Sequence, residues 1–140
     1  MVTGVERLDE SMVGEDLEFV VRRLVTKDDM PEDLARKIRP EYIRFMSLHH
    51  VTKEPLSPSS LVDSFWHAHI LHTEQYEEFC RRYFGYFIHH RPEDHAAGMA
   101  GVSPGERTRE LMDEHFPEHD AEIWNDLAMC RGNSTSYTGQ

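Results

Sequence analysis

Apolar positions recur with helical spacing along most of the chain. Leu17, Val20, Val21 and Leu24 stand at i, i+3, i+4 and i+7, the stripe an amphipathic helix buries. Residues 1–13 ahead of it read as a loose arm. Residues 27–30 are a polar break. Pro31, followed by Glu32 and Asp33, suits a helix start, where proline and acids are favoured. Leu34 and Ile38 share a face. Arg39-Pro40 predicts an interruption, because the residue before proline avoids the helical region. A further helix is expected from Pro40 to about Val51, with Tyr42, Ile43, Phe45, Met46, His49 and His50 available to a core.

The stretch KEPLSPSS, residues 53–60, is a loop. Ser57 and Pro58 read as an N-cap and first helical residue. A long central helix is expected from there, spanning about 59–83, with Gly85 as its stop. Ser103, Pro104 and Glu106 form a capping box that opens another helix carrying Leu111, Met112 and Phe116. Pro117 ends it. Asp120 suits the cap of a last short helix with Ile123, Trp124 and Leu127. No convincing period-2 alternation occurs. The expected fold is all-α: one helical-bundle-like domain of about five helices over residues 14–130, with a disordered polar tail at 131–140.

The central segment carries the candidate chemistry. At about 100° per residue, Asp63, His67, Glu74 and Glu78 fall on one side of a helix. Asp63 and His67 are an i, i+4 pair, so their side chains can touch. His69 points away from His67 and shares its sector with Tyr76 and Cys80. His72 lies with Phe65, Phe79 and Tyr83. A metal needs at least three protein ligands. The third can come from His89-His90, just past Gly85. Neighbours in an extended segment point oppositely, so one of them faces the site. The candidate ligand set is Asp63, His67 and His90, with His89 as the substitute for His90. His69, Tyr76, Cys80 and Trp66 form the adjoining wall, His69 also as a possible ligand or partner of one. Trp66, Phe65, Phe79, Phe84 and Phe87 read as core, and the remaining histidines, His49, His50, His95, His115 and His119, as surface or packing residues.

Composition narrows the classes. The 140 residues suit one domain. No apolar run approaches the ~20 residues of a membrane span. The N-terminus has early acids and no apolar core, so no signal peptide is read and cytoplasmic residence is expected. Twenty-six acids against fifteen bases give a formal charge of −11, which argues against nucleic acid or an anionic membrane as the main partner. Cys80 and Cys130 lack CxxC spacing and read as small thiols, with a bridge disfavoured in a reducing cytoplasm. There is no P-loop, GxGxxG, HExxH or GxSxG.

Val62, Asp63, Trp66, His67, His69, Leu71, Thr73, Tyr76, Cys80, Phe84, Gly85, His89, His90 and Pro92 together resemble the glycine-rich domain-containing-protein-like family. The resemblance covers about 57–92 closely and 104–130 loosely. It departs at His72, where family members often carry aspartate, and lacks the glycine-rich region of the larger relatives. It implies that Asp63, His67, His69, His89 and His90 belong to one constellation, and it supplies no reaction.

The leading expectation is a small cytoplasmic metal-binding protein, extending to a metal-dependent enzyme that acts on a small molecule through activated water or dioxygen. The cofactor would be a divalent transition metal: iron, zinc, copper or manganese. The alternative is a non-enzymatic helical interaction module, its Asp/His cluster a structural hydrogen-bond network and an exposed groove binding a protein partner. Metal-free Asp–His acid–base catalysis is the third reading.

Overall fold

The computed structural model describes residues 4–90 and 102–126. The tail at 131–140, and His95, Leu127 and Cys130, lie outside the described residues. The elements are α1 (Gly4–Met12), α2 (Glu18–Lys27), α3 (Glu32–Ser47) with a 3-10 turn at Leu48–His50, α4 (Ser60–Leu71), α5 (Thr73–Tyr83) and α6 (Pro104–His115). The described residues contain no strand, so the protein is all-helical as its periodicity predicts. The centre is α3, which packs on α1, α2, α4 and α6.

Several helix ends follow local chemistry. Ser103 and Glu106 cap α6 reciprocally, with Pro104 in the first turn. α5 stops where Gly85 takes φ +80° and its N–H donates to the carbonyls of Cys80 and Arg81. α4 starts at Ser60, later than Ser57-Pro58 suggests. Its cap is Ser59, whose hydroxyl accepts the Val62 N–H at 3.2 Å.

Three expectations are corrected. The arm at 1–13 is largely helical: α1 fully buries Val5 and Met12 against the core. Pro40 does not interrupt a helix but lies inside continuous α3. Ala35 and Ile38 before it, and Tyr42, Ile43, Phe45 and Met46 after it, all bury in one core. At roughly 1.5–3 kcal/mol for each large side chain, that burial outweighs a proline penalty of about 3 kcal/mol. Pro40 is exposed, so the unserved Arg36 carbonyl lies on the wet side.

The third correction concerns the central helix. It breaks at His72, where φ is −92° and ψ 75°. The rings of His69 and Phe79 lie 4.9 Å apart, whereas ten residues of straight helix would separate them by about 15 Å. The break lets α5 fold back on α4. His72 repairs the backbone it disturbs: its Nδ1–H donates to the Ala68 carbonyl at 2.9 Å, the acceptor its own N–H abandons in favour of His69.

Candidate functional site

The fold-back brings α4, α5 and the segment after Gly85 together around Trp66. The indole Nε1 of Trp66 donates to the Tyr76 hydroxyl at 3.0 Å, and that hydroxyl donates to the Ile88 carbonyl at 2.5 Å. This ties residues 84–90 across the helical hairpin. His90 then lies flat on Trp66, with ring centroids 4.2 Å apart and planes inclined by 14°. Its Nε2–H donates to Asp63 Oδ1 at 2.5 Å. The Asp63 side chain is 46% exposed and that of His90 20%, so the pair sits at the rim of the core.

The other predicted site residues divide as their positions on α4 require. His67 is exposed, and His69 is buried on the opposite side. The separation survives the break because both precede His72. His69 shares a 2.7 Å hydrogen bond with the Tyr42 hydroxyl through Nδ1. Phe19, Tyr42, Tyr76 and Phe79 ring it edge-on at 4.9–5.7 Å. Burial pushes its pKa down to about 3, so it stays a neutral core ring. Burial likewise holds the Tyr42 and Tyr76 hydroxyls above the usual tyrosine range. Cys80 is a free buried thiol that burial pushes up, the opposite of an activated nucleophile.

His89 is exposed and meets the edge of Phe87, at 4.8 Å. Phe87, expected in the core, is 41% exposed. Glu74 is exposed on α5, and Glu78 pairs with Arg81 and Arg82. Among the described residues, no three His, Cys, Asp or Glu side chains group to hold a metal ion. Asp63 and His90 meet, while among the described residues His67 and His89 form no metal-holding group with them.

Several participants were not read as site residues from the sequence. His49 packs between Phe45 and Trp66, at 5.2 and 5.9 Å, and donates through Nδ1 to the Met46 carbonyl. Burial lowers its pKa to about 4. Glu41, 3% exposed, accepts from Trp124 Nε1 at 2.8 Å, from the Asp120 N–H at 3.1 Å and from Arg44 at 3.1 Å. Asp9 on α1, half-buried near Arg44 and beside Glu10, Glu41 and Glu118, has its pKa raised to about 6, chiefly by burial. For these contacts the sequence signals were the core-available position of His49 and an acid amid apolar neighbours at Glu41.

No helix among the described residues is long and apolar enough to cross a membrane. No curated protein and no solved structure matches the chain. The family match overturns the glycine-rich domain-containing-protein-like resemblance drawn from the Val62–Pro92 motif. The match extends well upstream of the motif, into α2 and α3. It runs over residues 18–105, more than half of the chain, and the protein accordingly belongs to the uncharacterised UCP032817-like family.

Proposed function

We propose that this chain is a non-enzymatic helical binding module in which the Asp63, His90, Trp66 and Tyr76 set is a brace. The observation that carries this reading is the unbroken path from Asp63 through His90 and Trp66 to Tyr76 and the Ile88 carbonyl. Each polar group on that path meets at least one other protein group, and the path fastens residues 84–90 to α4. His69, buried among aromatic rings, is likewise engaged with Tyr42. Such networks, when satisfied, select one packing arrangement. The braced segment in turn supplies a wall of a surface groove.

The test combines stability with metal content. On this reading Asp63→Asn and His90→Ala lower the unfolding free energy, His67→Ala leaves it unchanged, and elemental mass spectrometry of untagged protein finds only traces of metal.

A metal-binding reading keeps one supporting observation. Asp63 and His90, 27 residues apart, meet within 2.5 Å, and His67 follows Asp63 by one turn on α4. A divalent transition ion in place of the shared proton would need His67 as its third ligand. Stoichiometric iron, zinc, copper or manganese that is lost in both His67→Ala and His90→Ala would replace the brace with a metal centre.

A further inference from the structure

The 3-10 turn and its following loop face the end of α5 and the turn after it across a groove of about 460 Å³. That volume falls within the ~300–1,000 Å³ of small-molecule sites. One wall carries His50, Thr52 and Lys53, and the other carries Tyr83, Phe84 and Tyr86. The Tyr86 hydroxyl donates to the His49 carbonyl at 3.1 Å and fastens the two walls. Lys53 Nζ is held 3.9 Å from the centre of the Tyr86 ring, a cation–π contact that localises the ammonium without neutralising it. The His50 ring rests on Gly4, where a Cβ would come within 2.8 Å of Nε2. Glycine allows this close approach of the imidazole at the groove's edge.

The charge of the groove departs from that of the chain. The protein has 26 acids and 15 bases, yet among the described residues no carboxylate lines the groove, and the fixed charge they bring to it is the Lys53 ammonium. Among the described residues Lys53 forms no ion pair, whereas Arg36, Arg44 and Arg82 each do. A localised cation beside aromatic faces is the arrangement that takes an anionic head and a flat apolar body.

We propose that this groove binds a small aromatic anion, with a carboxylate or phosphate on Lys53 and His50 and the ring against Tyr86 and Phe84. The inference names a ligand class for the binding module and rests on that reading. The two fail separately: loss of the brace shows in the stability of Asp63 and His90 variants, and loss of the ligand shows in the titration below.

The full chain, labelled with ¹⁵N, is titrated with benzoate, phenyl phosphate, benzyl alcohol and inorganic phosphate while its amide spectrum is followed. Saturable shifts confined to residues 49–53 and 83–86 are expected with benzoate, phenyl phosphate or both, and the stronger of the two identifies the head group. Lys53→Met should weaken that binding about tenfold, and Lys37→Met, an exposed lysine on α3, should leave it unchanged. Four outcomes overturn the proposal. These are no saturable shift with either aromatic anion, equal binding of benzyl alcohol, equal binding of inorganic phosphate, or equal weakening by the two lysine variants.

Discussion

His90 stacks on Trp66 at 4.2 Å while its Nε2 holds Asp63, so one imidazole closes both the aromatic and the ionisable side of the brace. The stack contributes through buried ring area, and the hydrogen bond lies partly in solvent. His90→Ala should therefore cost about 1–2 kcal/mol, with the stack the larger share. Asp63→Asn should cost less, because the carboxylate is nearly half exposed. Urea unfolding checks both, and tryptophan emission should shift to the red in His90→Ala as Trp66 is uncovered.

Tyr76→Phe should be the more damaging change on the same path. It strands two buried partners, Trp66 Nε1 and the Ile88 carbonyl. Each stranded group costs about 1–3 kcal/mol, so a loss of roughly 2–6 kcal/mol is expected. Tyr42→Phe strands only the His69 nitrogen and should cost about half as much. Equal losses for the two variants in chemical denaturation would contradict the brace.

Glu41→Ala should release the chain after α6. It removes the acceptor of the Trp124 indole and the Asp120 N–H and leaves Arg44 without its buried partner. A loss of about 3–5 kcal/mol is expected. Faster amide exchange at residues 120–124, ahead of the rest of the chain, would locate the effect.

Stability should fall on mild acidification, for a reason that can be signed. His49 and His69 have folded pKa values near 4 and 3 against 6.5 unfolded. The unfolded chain takes up their protons first, so their contribution, complete above pH 6.5, drains away as pH falls toward 4. Asp9 opposes this. Its folded pKa is raised to about 6 from 3.8, so its contribution is complete below 3.8 and lost as pH rises through 6. Two histidines outweigh one aspartate, and net stability should rise with pH between 4 and 6. Asp9→Asn should steepen that slope and stabilise the protein at neutral pH. Urea midpoints measured across this range decide the matter, and a flat profile in Asp9→Asn would refute the assignment.

The site was partly legible because part of it is local. Asp63 and His67 share an i, i+4 spacing, and His67 and His69 diverge on any helix. The choice of His90 over His89 was open, since an extended pair offers either face. Packing decided it: the flat face of Trp66 takes His90, and His89 is left outside with Phe87. The three-ligand cluster read from Asp63, His67 and His90 required side-chain convergence, which spacing along one helix does not specify.

The amino-acid sequence by itself determined the helical class, the α6 capping box, the stop at Gly85 and the stripe of α2. Each rests on contacts within one or two turns, where residue type and spacing carry the information. Tertiary structure alone decided that α1 docks, that α3 runs through Pro40 and that the central helix breaks at His72. Those outcomes balance a local penalty against burial by residues far along the chain. It also paired His69 with Tyr42, 27 residues away, and Trp124 with Glu41, 83 residues away. No local pattern encodes such partners, because they become neighbours only once α3 has gathered the other helices around it.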